Sequence, residues 1–278
     1  MKRLILTIIV ALLAVMVQAQ MQAQVQERTP FFVQIADPQL GFINKSDDFS
    51  PEQERMKRII AKVNQLQPDF VVFAGDLVHW PTNEAREAFD ELCKGFDRSI
   101  PIYFLPGNHD VGNDATDKAI EEFVAHYGSD RFVHRRRTYS IVGYNSCVIK
   151  AETDAEPEEY RWLRKQLRRL PRRRPAIVVA HHPIFVNKPD EKVTYENLTP
   201  EMRAKYLALF ERFGVDLALA GHLHMCARAT YNDIELVTSG PAGRTLGRDG
   251  SGITIVTIRN GAAQATYYEI DQIPDKID

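Results

Sequence analysis

The chain is short of the features that mark several large functional classes. Three cysteines in 278 residues, Cys93, Cys147 and Cys226, form an odd and scattered set that does not read as a disulfide framework. Cys93 and Cys147 stand among apolar neighbours and read as small buried hydrophobes, with one disulfide left open for an oxidising compartment. Cys226, close to a histidine cluster, reads as a bystander, with soft metal ligation as the alternative. An excess of one charge is also missing. Lys and Arg number 35 against 37 Asp and Glu, a formal net charge of −2, and that balance gives no reason to expect an obligate nucleic-acid partner. The runs Arg135-Arg136-Arg137 and Arg172-Arg173-Arg174 are read as solvated faces rather than a polyanion site. No repeat at a fixed period and no break in composition divides the chain into two domains.

One apolar run does exist, and it lies at the N-terminus. Lys2 and Arg3 precede an apolar stretch from Leu4 to Val17 interrupted by Thr7. A membrane-spanning helix needs about 20 apolar residues, so the run reads as an export signal over residues 1–19. Val17-Gln18-Ala19 places a small residue before the expected cut, and the polar, Gln-rich stretch from Gln20 to Arg28 follows as a linker over 20–28. An uncleaved anchor is the alternative. No cysteine stands directly after the run, which argues against a lipoprotein anchor. The expected location is periplasmic or secreted, with no stable membrane span after cleavage.

Beyond the linker, strands and helices alternate. Ser50-Pro51-Glu52-Gln53 reads as a capping box with Pro at the first helical position, and Met56, Ile59, Ile60, Val63 and Leu66 follow at helical spacing. Helices are also expected over Asn83–Lys94, Ala115–Tyr127, Pro157–Leu170 and from Thr199 to Phe213. Tyr139–Val142 and Ser146–Ile149 read as paired strands, and Pro189–Leu198 as a long loop near the site. Five apolar strands end in polar clusters: Phe31–Ala36 at Asp37, Phe70–Ala74 at Asp76, Ile100–Leu105 at Asn108, Ala176–Ala180 at His181, and Val215–Ala220 at His222 and His224. Open α/β sheets bind ligands outside the carboxyl ends of their strands, so residues far apart in sequence are expected to meet there.

Carboxylate, amide oxygen and imidazole together suit Mn, Fe or Zn better than a pure oxygen-ligand ion. Counting Gln39, seven candidate ligands stand at these strand ends: Asp37, Gln39, Asp76, Asn108, His181, His222 and His224. One metal with an open position uses about four at most, so the set is large enough for two ions sharing a carboxylate.

The segments Asp37-Pro38-Gln39, Gly75-Asp76, Gly107-Asn108-His109-Asp110, His181-His182-Pro183 and Gly221-His222-Leu223-His224 resemble the calcineurin-like metallophosphoesterase family over almost all of the chain after the linker. Together with Gly-Asp-Leu-Val-His79, Gly-Asn-His-Asp-Val-Gly-Asn113 and Leu246-Gly247-Arg248-Asp249, they resemble its subgroup of calcineurin-like phosphoesterase domain-containing serine/threonine phosphatases. The usual first motif is Asp-x-His, and here Gln39 holds the His position.

The resemblance implies an α/β fold of two packed mixed β-sheets flanked by helices, a four-layer sandwich over residues 29–278. It implies two divalent ions drawn from Mn, Fe, Zn and Mg. Asp37, His224 and Gln39 would hold the first, Asn108, His181 and His222 the second, and Asp76 would bridge. The family ligand precedes x-Pro, which selects His181. His182, expected to point to the opposite face, is left to the substrate groove. Metal-assisted hydrolysis is implied, with His109 hydrogen-bonding the leaving-group or a phosphoryl oxygen and Asp110 or Asp76 orienting it. Arg248 is a candidate phosphate contact, since a guanidinium fork matches phosphate oxygens. The expected substrate is a phosphomonoester, phosphoserine and phosphothreonine among the candidates, on a small molecule or a phosphoprotein. The alternative is a phosphodiesterase for nucleotides, lipids or glycans. A non-catalytic scaffold would be marked by lost ligands or a missing His109, and a metal-storage protein by uptake without hydrolysis.

Overall fold

Short runs rich in Val, Ile, Phe and Ala, apolar on both faces, are suited to central strands of covered sheets. The computed structural model describes residues 28–278, and Pro30–Ile277 form one compact unit. The expected export segment and all of the linker but Arg28 lie outside the described residues. Among the described residues no helix is long and apolar enough to cross a membrane.

The chain runs through β1 (Phe31–Ile35), α1 (Ser50–Leu66), β2 (Val71–Ala74), α2 (Asn83–Cys93), β3 (Ile102–Leu105), α3 (Asn108–Val111) and α4 (Asp117–Tyr127). Next come β4 (Phe132–Arg135), β5 (Ser140–Gly143), α5 (Ser146–Lys150), α6 (Glu156–Leu167), β6 (Ala176–Val179), α7 (Pro200–Phe213) and β7 (Leu217–Ala220). It closes with β8 (Ala227–Tyr231), β9 (Ile234–Thr238), β10 (Gly252–Arg259) and β11 (Ala262–Glu269).

Two mixed sheets result, with orders β11-β10-β1-β2-β3 and β4-β5-β6-β7-β9-β8. β1, β2 and β3 are mutually parallel, as are β5, β6, β7 and β9. The period-2 alternation of a strand sorts the core into two layers. Phe32, Val72, Ala74, Ile177, Val179, Leu217 and Leu219 pack between the sheets. Val33, Ile35, Val71, Phe73, Val178 and Ala218 pack outward with Met56, Ile59, Phe89, Leu163, Tyr206 and Phe210 of the helices. This is the expected sandwich flanked by helices. Gln34 is a polar group that crosses the inter-sheet layer close to the strand ends: its Nε2 donates to the Ala220 carbonyl at 2.8 Å, tying β1 to the end of β7.

Two local expectations need correction, and one strand was not expected. Ser146–Ile149 is helical, because the Asn145 side chain accepts from the Cys147 amide and opens α5; the strand that pairs β5 is β4. The capping box at Ser50 does not form. Ser50 Oγ bonds the Asp48 carboxylate at 2.6 Å, and the buried Glu52 accepts from the Ile43 amide at 2.7 Å, pinning the loop after β1. The strand not expected is β8, which lies at a sheet edge, alternates half-exposed with exposed residues and lacks an apolar pattern to announce it.

Candidate metal centre

The two sheets bring five strand ends together. Asp37 and Gln39 follow β1, Asp76 follows β2, Asn108 opens α3 after β3, His181 follows β6, and His222 and His224 follow β7. All seven side chains are buried. The backbone is forced to make them converge. Asp37, Gln39, Asp76, His222 and His224 all take positive φ, from 41° to 73°. Such conformations cost about 1–3 kcal/mol each in non-glycine residues and collect at functional sites. Gly107 explains one fixed motif position: a Cβ there would lie 2.1 Å from Asp76 Oδ1. Gly75, at φ 85°, leaves no more room, since a Cβ would meet His181 Nδ1 at 2.5 Å.

Each imidazole has one nitrogen committed to a backbone carbonyl. His181 Nδ1 bonds the Ala74 oxygen at 2.9 Å, His222 Nε2 the Tyr195 oxygen at 3.2 Å, and His224 Nδ1 the Arg244 oxygen at 2.5 Å. A carbonyl accepts only, so each of those nitrogens carries the hydrogen and the other ring nitrogen presents a lone pair. The freed atoms point at one another. His181 Nε2 lies 3.1 Å from Asn108 Oδ1, 3.2 Å from His222 Nδ1 and 3.4 Å from Asp76 Oδ1. His224 Nε2 lies 3.7 Å from Asp37 Oδ1. Converging acceptors without a donor between them repel unless a cation or proton sits among them. That is the donor set and the outer support expected of a metal site, and the residues present fit divalent ions. Asp37, Asp76 and His181 offer ligand atoms all within 4.8 Å of one another. Gln39 Oε1 is buried with no hydrogen-bond partner, as an amide oxygen kept for a cation would be.

The electrostatics follow. Burial opposes charge on His181, but the Asp76 carboxylate outweighs it and lifts the imidazole to about 9. The same pairing overcomes burial at Asp76 and holds it below the usual carboxylate range. Burial raises Asp37 to about 6 against the pull of His224 and His181. Burial, then the His181 charge, pushes His222 down to about 3.

His182 needs a correction. It does not face away: β6 ends at Val179, so strict alternation no longer applies, and the His182 ring lies 4.5 Å from that of His222. Its tautomer differs from that of His181 and matches that of His222. Ser146 Oγ accepts from the His181 and His182 amides at 3.1 and 2.8 Å, which directs its own hydrogen to His182 Nδ1 at 3.2 Å. Nε2 of neutral His182 then carries a hydrogen and is a donor rather than a ligand. Burial, then the charges of His222 and His181, keep this ring far below its ordinary pKa.

His109 and Asp110 separate. The His109 amide donates to Asp76 Oδ1 at 2.8 Å, and its Nδ1 bonds the His79 carbonyl at 2.8 Å, leaving Nε2 free. Its ring stacks on His79 at 4.7 Å, which in turn stacks on Phe42 at 4.9 Å. Asp110 does not orient this ring. Its carboxylate accepts from the amides of Leu77, Val78 and Gly107, clasping the Asp76 loop to the Asn108 turn. Burial and the Asp76 charge push Asp110 up to about 7.

Arg248 is on an exposed turn and is not drawn into the cluster. The guanidinium packed against the site's aromatic groups is that of Arg244, 5.0 Å over the Phe42 ring, whose edge meets His224 at 5.2 Å. The three cysteines are free. Burial and Asp249 raise the Cys226 thiol to about 11, and its amide donates to Asp249, so it stays a bystander. Sequence reasoning gave no role to Ser146, Tyr195 or Arg244. No local pattern marks them, and only His79, quoted within a motif, carried a signal.

A sequence profile described as calcineurin-like phosphoesterase matches residues 32–226. The serine/threonine-protein phosphatase CPPED1 of Danio rerio is 30% identical over 273 residues, covering 88% of this chain and 86% of that protein. A probable glycerophosphodiester phosphodiesterase GpdQ from Arcobacter nitrofigilis is 29% identical over 186 residues, 65% of this chain and 66% of that one. The purple acid phosphatase PPD1 of yellow lupin seeds superimposes with a TM-score of 0.68 at 15% identity, covering 90% of this chain and 53% of that one. By profile, by relatives and by the groups at its strand ends, this chain belongs to the calcineurin-like phosphoesterase family, and it is an enzyme, a metal-dependent phosphoesterase.

Proposed function

We propose that the enzyme is a binuclear phosphomonoesterase, with Asp37, Gln39 and His224 holding one divalent ion, Asn108, His181 and His222 a second, and Asp76 shared. The observation that carries this reading is the convergence of His181 Nε2, His222 Nδ1, Asn108 Oδ1 and Asp76 Oδ1, four acceptors with no donor among them. Divalent ions held there would supply Lewis acidity toward phosphoryl oxygens and a water nucleophile at neutral pH. The chain's own groups do the rest. The His79 carbonyl holds the hydrogen on His109 Nδ1, so Nε2 is the nitrogen left to pass a proton to the departing oxygen. Asp76, through the His109 amide, holds that residue beside the shared carboxylate.

Phosphoserine and phosphothreonine are the favoured monoesters, because a relative that covers 88% of this chain is described as a serine/threonine-protein phosphatase. The second reading, a phosphodiesterase, is favoured by the GpdQ relative. The deciding experiment uses metal-stripped protein reloaded separately with Mn, Mg, Zn and Fe. Turnover of a phosphoserine peptide and of a phosphodiester is followed in parallel. Monoester turnover is expected to exceed diester turnover; the reverse order selects the second reading, and no hydrolysis with any ion removes both.

The run from Leu4 to Val17 supports a periplasmic or secreted location. Mass spectrometry of the N-terminus of exported protein is expected to find a cut after Ala19.

A further inference from the structure

The loop between β6 and α7 carries a residue with two grips on the second ion's ligands. Tyr195 is 54% exposed, yet both of its polar ends are engaged at the site. Its hydroxyl oxygen accepts from Asn108 Nδ2 at 2.6 Å, and its carbonyl accepts from His222 Nε2 at 3.2 Å. Its ring lies 4.8 Å from the His222 ring.

These contacts decide which atom each ligand shows. An asparagine amide has one acceptor oxygen and two N–H donors, and turning it over would aim N–H groups at a cation. The Tyr195 hydroxyl takes up one of those N–H groups and so keeps Oδ1 turned to His181 Nε2. The Tyr195 carbonyl does the equivalent for His222 by holding the hydrogen on Nε2 and freeing Nδ1. Partners of this kind orient metal ligands, and losing one typically costs about 10–100-fold in metal affinity.

The loop is built to present Tyr195 rather than draped over the site. Lys150 Nζ donates to the carbonyls of Thr194 and Asn197, on either side of Tyr195. The buried Arg203 guanidinium donates to the carbonyls of Leu198, Pro189 and Glu191. Glu191 caps the amides of Val186, Asn187 and Lys188. Two cations from α5 and α7 thus hold a segment that has no regular structure of its own.

We infer that Tyr195 is a positioning residue of the second ion's site, locking Asn108 by its hydroxyl and His222 by its carbonyl. The inference rests on the binuclear reading above.

The test is Mn²⁺ titration of the metal-stripped full-length chain by calorimetry, with electron paramagnetic resonance reporting the coupled pair. The wild-type chain is expected to take up two ions; uptake of one only removes the binuclear reading itself, before any variant is compared. Tyr195→Phe keeps the ring and deletes the hydroxyl. It is expected to weaken the second ion about 10–100-fold while the first stays within about twofold, so the coupled signal is lost at low Mn²⁺. Excess Mn²⁺ should restore turnover. Trp80→Phe, at an exposed aromatic that packs on the His79 ring, should leave both affinities unchanged. A two-ion wild-type chain whose Tyr195→Phe variant binds both ions equally well overturns the inference, as does an equal weakening by Trp80→Phe.

Discussion

His181 Nε2 faces His222 Nδ1 at 3.2 Å, and in the neutral rings both nitrogens are lone-pair atoms because the opposite nitrogen of each bonds a carbonyl. Asn108 Oδ1 and Asp76 Oδ1 complete the ring of acceptors. Without a cation the cluster must hold a proton, which is why Asp76 lifts His181 above its ordinary range against the effect of burial. An ion that binds the folded chain stabilises it, by about 2.7 kcal/mol at a hundred times its dissociation constant. His181→Ala and His222→Ala should each lose most of the Mn²⁺-dependent rise in thermal stability. Variants that keep the full wild-type rise would show that these imidazoles are not ligands.

His109→Ala should keep both ions and lose about 10²–10⁴ in rate, the usual contribution of a positioned acid or base. The loss should be steep for alkyl phosphates and shallow for activated aryl phosphates, whose leaving groups need no proton. Metal analysis alongside initial rates checks both halves. Loss of metal would mean that His109 has been assigned the wrong job.

Asp110 is a clasp rather than a proton relay. Asp110→Ala leaves the amides of Leu77, Val78 and Gly107 without their acceptor. Unsatisfied buried groups cost about 1–3 kcal/mol each, so urea unfolding should show a loss of at least about 2 kcal/mol. Asp110→Asn keeps an acceptor oxygen and should lose less. At saturating metal, its dependence on leaving group should match the wild type; an altered dependence would restore Asp110 to a role at His109.

Gln39 holds a position where the family usually has histidine, and its buried Oε1 has no protein partner. Imidazole binds Zn and Fe more strongly than a neutral amide oxygen does. Gln39→His should tighten the first ion and shift preference from Mn or Mg toward Zn or Fe. Competition titrations that show the same affinity and order for both proteins would remove Gln39 from the ligand set.

Glu159 gives a pH dependence away from the site. Its oxygens accept from the Asn145 amide and from Arg131, yet burial prevails and pushes the carboxyl up to about 7. In the unfolded chain it ionises near about 4.3. The folded state holds the proton to higher pH, so the stability this group contributes is full below that value and is lost as pH rises to about 7. Urea stability of metal-stripped protein should fall across that window, and Glu159→Gln should flatten the fall. An equal slope in the variant would assign the effect elsewhere.

Much of this was legible in the chain. The five apolar runs were visible as strands because four of them are buried on both faces and the fifth, Ile102–Leu105, is apolar although half-buried, and the residue types at their ends were visible as a metal set. Thr199 and Pro200 announced α7, where the Thr199 hydroxyl does accept from the Met202 amide. Ser146–Ile149 misled because Cys, Val and Ile in succession favour a strand by propensity, while a single side-chain cap at Asn145 settled it as a helix.

The order and chemistry of the candidate ligands are properties of the sequence alone, since two carboxylates, two amides and three imidazoles at strand ends have few uses other than gripping cations. Which nitrogen of each ring is free was decided by the tertiary structure. The carbonyls of Ala74, Tyr195 and Arg244 that fix the tautomers of His181, His222 and His224 come from segments 107, 27 and 20 residues away. The same holds for His182, whose role turns on a serine 36 residues upstream. A hydrogen's place on an imidazole depends on what stands opposite it in space, and linear spacing carries no record of that.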